Sequence, residues 1–186
     1  MGAGEYARTT YDAARQEVLQ RMRLRDHALL AYLGFIGAIF SVALSQNNKE
    51  ILLSIPFITL GISIIMSQHY MMAAIIGTFC TNELEEFLLR HEPNEYAPQW
   101  DNSYTFKNHA ATSALFRVLG HSIIISVPCF IALGVNWLHI MSPFPFGIAW
   151  WFGLVCFLGA TWVIRYAHIV RTEIYKTRQW RSSSST

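Results

Sequence analysis

The most motif-like string in the 186-residue sequence is Glu85-Glu86-Phe87-Leu88-Leu89-Arg90. An EExxxR arrangement can set a glutamate up as general base toward water, provided nearby histidines complete the site. Here no His-x3-Asn occurs, and the same residues make an ordinary helix surface in which Glu86 and Arg90 pair at i,i+4. The seven histidines, His27, His69, His91, His109, His121, His139 and His168, are never three or four residues apart, so no helix face offers paired imidazole ligands. Cys80, Cys129 and Cys156 are isolated within or at the ends of apolar blocks and read as reduced packing residues. No Ser-His-Asp order, Gly-rich phosphate loop or Walker pattern occurs. The expectation is a protein with no cofactor, no metal site and no catalytic residues, hence not an enzyme.

Three weaker patterns could bind or conduct. Thr59, Ser63 and Ser67 repeat every four residues along one helical stripe, and Gly37, Ser41 and Ser45 repeat the pattern on another. Hydroxyl stripes can replace part of an ion's hydration without creating a deep charge trap, which makes Thr59, Ser63 and Ser67 pore-lining candidates. Equally, small residues allow close helix packing, with each hydroxyl bonded to its own backbone. Ser67-Gln68-His69-Tyr70 interrupts an apolar helix, so His69 is a candidate for gating where that helix leaves the bilayer. Finally, His168, Arg171, Tyr175 and Arg178 share a helix face, followed by Trp180 and Arg181. Guanidinium groups bind phosphates and aromatic rings stack on bases, so Arg171, Tyr175, Arg178 and Arg181, with Arg15 and Arg21 from the N-terminal segment, are candidates for a phosphate or oligonucleotide site. The competing reading is positive-inside anchoring on anionic lipid, with Glu17–Arg21 and Asp12–Arg15 satisfying part of the charge locally.

The elements that must position these residues follow from composition. Hydrophobic residues make up 53% of the chain and charged ones 14%, about half the charged share of a soluble domain. Four apolar blocks, His27 to Ser45, Ile51 to Ser67, Val118 to Ile140 and Gly147 to Ile169, approach the roughly 20 helical residues needed to cross a bilayer. The joints QNNKE and MSPFPF are short, so the blocks pair as two helical hairpins. No Asp, Glu, Lys or Arg lies between His27 and Gln46, Ile51 and Cys80, or Val118 and Ile164, which argues against a proton-coupled transporter.

Cations set the orientation. Arg8, Arg15, Arg21, Arg23 and Arg25 precede the first block, Arg165, Arg171, Lys176, Arg178 and Arg181 close the last, and the two joints share only Lys49. Both termini and the middle segment are therefore expected in the cytoplasm. The N-terminal segment lacks the apolar core and cleavage site of a signal peptide. Tyr11, Ala14, Val18, Met22, Arg25 and Leu29 share a helix side, so an amphipathic lead helix is expected to run into the first span. The second span is expected to continue to about Glu92, and the fourth to about Arg181. Glu92 to Lys107, with two prolines, reads as a loop. The fold expected is an all-α integral membrane protein with four transmembrane helices and cytoplasmic helical extensions. Its parts are a cytoplasmic amphipathic helix (1–26), a transmembrane hairpin (27–80), a cytoplasmic helix and loop (81–117), a second hairpin (118–169) and a basic helix and tail (170–186).

With these pieces assembled, the chain resembles the small bacterial four-span effectors of antiphage defence, in particular the channel subunits of the Hailong system. The likeness lies in YDAARQEVLQRMRLRDHALLAYLGFIGAIF leading into the first span, the helical exit from His69 to Glu86, and Trp100-Asp101. It is a likeness of arrangement over most of the chain. The resemblance implies a homo-oligomeric ion channel in the bacterial inner membrane, controlled by an oligodeoxyadenylate made by a partner nucleotidyltransferase. No ligand-binding residue is carried over from it. Two other readings remain open at this point: a non-conducting membrane anchor or assembly subunit, and an intramembrane enzyme. Membrane lipids are partners in every case.

Overall fold

The computed structural model describes residues 3–91, 104–142 and 144–183, and the side chains of all of these except 3, 85, 89, 91, 104–118 and 175–183. Every regular element among the described residues is helical. Helix α1 runs unbroken over Ala3–Ser45. A 3-10 turn, Lys49–Ser54, leads into α2, Ile55–Phe79. A single π-helical turn, Cys80–Leu84, joins α2 to α3, Glu85–His91. Helix α4 spans Tyr104–Val135, a 3-10 turn covers Trp137–Met141, and α5 spans Phe146–Ser183. Among the described residues three stretches are long and apolar enough to cross a membrane, Gly4–Ser45, Lys49–Leu88 and Phe146–Ile174, and Leu119–Val135 is a shorter apolar helix.

The lead segment thus joins the first apolar block without a break, because nothing between Gly4 and Gly34 interrupts helical hydrogen bonding. At about 1.5 Å per residue, α1 is about 64 Å long and α5 about 57 Å, roughly twice a hydrocarbon core of about 30 Å. Helix α1 stops on a Schellman motif. Asn47 takes φ 51°, a left-handed conformation that Asn tolerates better than most residues, while the Asn48 amide donates to Ala43 O at 3.1 Å and the Asn47 amide to Leu44 O at 3.4 Å.

Two boundaries differ from the sequence expectation. Helix α4 begins at Tyr104, inside the stretch read as loop up to Lys107, since the alanine-rich run that follows contains no Gly or Pro before Gly120. Residues 92–103 lie outside the described residues. At its other end the third block breaks at Asn136 instead of running to Ile140, because the Asn136 amide turns back onto Ala132 O at 2.9 Å and the chain tightens into the 3-10 turn.

The chain clusters into two compact units, one comprising Met1–Leu24, His69–Val118 and His168–Thr186 and the other Arg25–Gln68 and Leu119–Ala167. The second, apolar unit has a continuous core of Tyr32, Ile36, Ala43, Leu52, Leu53, Ile55, Cys129, Ala132, Leu133 and Phe157. Helix α2 is central to it. Phe130 meets Phe157 edge-on with ring centroids 4.9 Å apart, and the Trp150 indole N–H donates to Leu133 O at 3.0 Å, fastening α4 to α5. Large apolar side chains such as Leu30, Phe35, Leu44, Phe130 and Val155 cover its outside, as expected of a surface whose solvent is hydrocarbon. In the first, charged unit, Ala7, Ala74 and Cys80 are buried, and the Arg171 guanidinium lies over the Tyr70 ring, 5.6 Å from its centroid.

Gly153 on α5 marks a close helix crossing in the apolar unit. A Cβ there would stand 3.3 Å from Leu133 Cδ2 and 3.4 Å from Pro56 Cγ, so where α2, α4 and α5 meet a larger side chain needs its neighbours to move. Gly153→Val is expected to destabilise the protein by about 1–3 kcal/mol, the usual cost of overpacking. Gly134→Ala, where a Cβ meets nothing within 4 Å, is expected to stay within about 0.5 kcal/mol of wild type. Thermal unfolding of both variants in detergent checks the contrast.

Candidate functional site

The densest side-chain polar cluster described inside the apolar unit is built around Thr59. Its hydroxyl donates to Ile55 O, one turn back, at 2.8 Å, so the same oxygen can only accept from its other neighbours. It accepts from the Tyr32 hydroxyl at 2.9 Å and from the Cys129 thiol at 3.2 Å. One hydroxyl thereby ties α1, α2 and α4 together. Thr59, Cys129 and Tyr32 are all buried, and every polar hydrogen in the group has an acceptor. Threonine suits this hub because back-bonding to the i−4 carbonyl fixes the hydroxyl rotor and leaves its lone pairs facing the neighbouring helices.

Ser63 and Ser67 continue the same stripe into the interior. Ser63 is fully buried and donates to Thr59 O at 2.7 Å, and Ser67 is 4% exposed. This is the geometry of the packing alternative raised by the sequence, small residues with hydroxyls bonded to their own helix. For the three to line an aqueous path, α1, α2 and α4 would have to part. The second stripe lies the other way: Gly37, Ser41 and Ser45 are exposed along α1, and the Ser45 hydroxyl donates to Val42 O.

A second group closes the end of the apolar unit that carries its two turns. The Asn136 amide donates to Lys49 O and to Ala132 O, both at 2.9 Å, which joins α4 to the turn between α1 and α2. In the adjoining turn His139 Nδ1 lies 3.2 Å from Ser142 Oγ, Nε2 lies 3.6 Å from Glu50 Oε1, and the ring packs on Phe146 at 5.3 Å. His139 and Glu50 are both partly exposed, so this contact steers the turn more than it stabilises it.

In the charged unit the sequence-named residues are distributed as follows. Arg21 pairs with Glu17 at 2.6 Å, as the i,i+4 spacing predicts, and its Nε is buried without a hydrogen-bond partner among the described residues. Arg15 and Arg171 are half-buried and engaged by neighbours, Arg171 over Tyr70. The side chains of Tyr175, Arg178 and Arg181 lie outside the described residues, so the basic face is described only at Arg171. His69 is half-buried, with its Nδ1 enclosed and without a partner among the described residues. Glu86 and Arg90 form the i,i+4 ion pair, both largely exposed, and the Glu85 side chain is outside the described residues. Among the described residues no three His, Cys, Asp or Glu side chains come together as a metal site would require. No family model, curated protein or solved structure matches the chain.

Tyr32, Cys129 and Asn136 were not singled out by motif or spacing. Their signal was solitary polarity, a tyrosine and an asparagine inside otherwise apolar helices, where a group without water must find a protein partner.

Removing the hub is expected to cost more than removing one spoke. Thr59→Val leaves the Tyr32 hydroxyl and the Cys129 thiol without their acceptor, whereas Tyr32→Phe leaves Thr59 bonded to Ile55 O and Cys129. Interhelical hydrogen bonds of this kind are worth about 0.6 kcal/mol on average and up to about 2 kcal/mol. Thr59→Val is expected at the upper end of that range and Tyr32→Phe near the average, read from unfolding free energies in micelles or bicelles.

Proposed function

We propose that this chain is a four-span protein of a bacterial inner membrane, with both termini and the charged unit in the cytoplasm. In this reading it assembles with copies of itself into a gated ion channel that acts as an effector of antiphage defence. Opening is controlled on the cytoplasmic side by a nucleotide or oligonucleotide signal, such as an oligodeoxyadenylate made by a partner nucleotidyltransferase. The resemblance in arrangement to four-span effectors motivates the assignment to defence and the class of signal.

The observation that carries the reading is that α1 and α5 are each single helices belonging to both compact units. A ligand can bias a gate only if it binds the two states unequally, and an unbroken helix lets a tilt or rotation at its charged end alter its apolar end. The Ser41–Ser45 stripe, exposed on α1, supports a conduction path between subunits. Thr59, Ser63 and Ser67 join that path only if the subunit itself opens. The proposed signal site uses Arg15, Arg21, Arg171, Tyr175, Arg178 and Arg181, and His69 is proposed for gating because its enclosed Nδ1 lies near the end of the second apolar block.

One observation favours a second reading, a non-conducting anchor or assembly subunit: the central hydroxyl stripe is buried and bonded to its own helix, as a static core requires.

Purified oligomers in planar bilayers are expected to give reproducible unitary currents, with an open probability that changes several-fold when a short oligodeoxyadenylate is added on the side of the termini. Silent bilayers containing intact oligomers, with and without the oligonucleotide, would assign the anchor role. Ser63→Leu separates the two roles of the central stripe: reduced conductance with normal oligomer yield marks a pore wall, and reduced yield with normal conductance marks packing.

A further inference from the structure

The connection between α4 and α5 sorts its side chains by polarity. Asn136 and His139 turn toward the α1–α2 turn, onto Lys49 O and Glu50, and Ser142 closes on His139. The bulky apolar residues face outward: Trp137 is 61% exposed, Leu138 69%, Met141 92% and Phe144 79%. In water such a patch would be a liability, and the neighbouring α1–α2 turn, QNNKE, has none of it.

The neighbouring helices supply the reason. Trp137, Leu138, Met141 and Phe144 lie between the apolar stretch Leu119–Val135 of α4 and the span that begins at Phe146, and no Asp, Glu, Lys or Arg occurs anywhere from Val118 to Ile164. A connection with no charge on either side of it, joining two apolar helices, continues their lipid-facing surface. Tryptophan at such a place is typical of the headgroup–acyl boundary, and a segment that is polar inward and apolar outward is built to lie in that boundary.

We propose that the α4–α5 connection is an interfacial wedge, with Trp137, Leu138, Met141 and Phe144 seated among the lipids of the leaflet opposite the chain termini. The occupant of this surface is lipid, and neither water nor a second protein copy covers it. The wedge sets the depth of the α4–α5 hairpin, while Asn136 and His139 hold it level with the α1–α2 turn. This inference rests on the four-span reading above.

The test uses the full-length chain carrying Cys156→Ala, reconstituted in phosphatidylcholine–phosphatidylglycerol vesicles, with one nitroxide label at a time on Met141→Cys, Leu138→Cys, Lys49→Cys or Val155→Cys. Collision rates with molecular oxygen, which concentrates in lipid, and with a water-soluble nickel chelate are measured at each site. The wedge predicts an oxygen-to-nickel ratio at Met141→Cys and Leu138→Cys several-fold above that at Lys49→Cys. Ratios equal to that of Lys49→Cys would overturn it, and low rates with both reagents, the signature of a site covered by protein, would overturn it equally. Val155→Cys, on the exposed face of α5, separates the two claims. If it reports lipid while Met141→Cys reports water, the wedge alone fails. If it too reports water, the four-span reading fails with it.

Discussion

Hydrocarbon offers no hydrogen-bond partner, and the apolar unit, with helices apolar and long enough to cross a membrane, is built to that constraint. Backbone groups close within helices, and the few polar side chains must close on one another or on a carbonyl. Thr59 satisfies the condition for three helices at once, donating to Ile55 O and accepting from Tyr32 and Cys129. Asn136 does so at the end of the unit, where two carbonyls of different elements receive its amide. Apolar contacts alone discriminate weakly between helix registers when the surrounding solvent is equally apolar, so these bonds, with the close crossing at Gly153, define which helix faces meet.

The same constraint decides which readings of the hydroxyl stripes are economical. A hydroxyl bonded to the i−4 carbonyl is satisfied and can sit in a dry core, which is where Thr59 and Ser63 are found. Helix α1 presents its small-residue stripe outward. The proposed channel therefore draws on helices whose residues belong to both units and on surfaces left open at α1, while the dry interior supplies rigidity. Among the described residues, the π-helical turn at Cys80–Leu84 and Pro128 within α4 depart from regular α-helical bonding.

Much of the scaffold was legible in the sequence. Long apolar blocks without charge dictated helices, and the absence of Gly and Pro between Gly4 and Gly34 dictated that the first would be continuous with its lead segment. What spacing could not resolve was direction in three dimensions. The Thr59–Ser63–Ser67 period was visible, but a period of four does not say whether a stripe turns toward a neighbouring helix or away from it. Tyr32 and Cys129 were invisible as a pair because their bond runs through Thr59, and they are far apart in the chain. The end of α4 was misplaced because Ile140 and Met141 are as apolar as the helix before them, and only the Asn136 back-bond marks the break. The basic face was legible as composition alone, since most of its side chains lie outside the described residues.

The central claim is that the apolar unit lies in a bilayer as two hairpins with every charged extension on one side. Topology reporters that are active only in the cytoplasm or only outside it, fused after Thr186 and inserted at Asn48 and at Ser142, test this most directly. The account predicts cytoplasmic activity at the C-terminus and outside activity at both turns. A C-terminal fusion active outside the cytoplasm, or two turns reporting opposite sides, would contradict it.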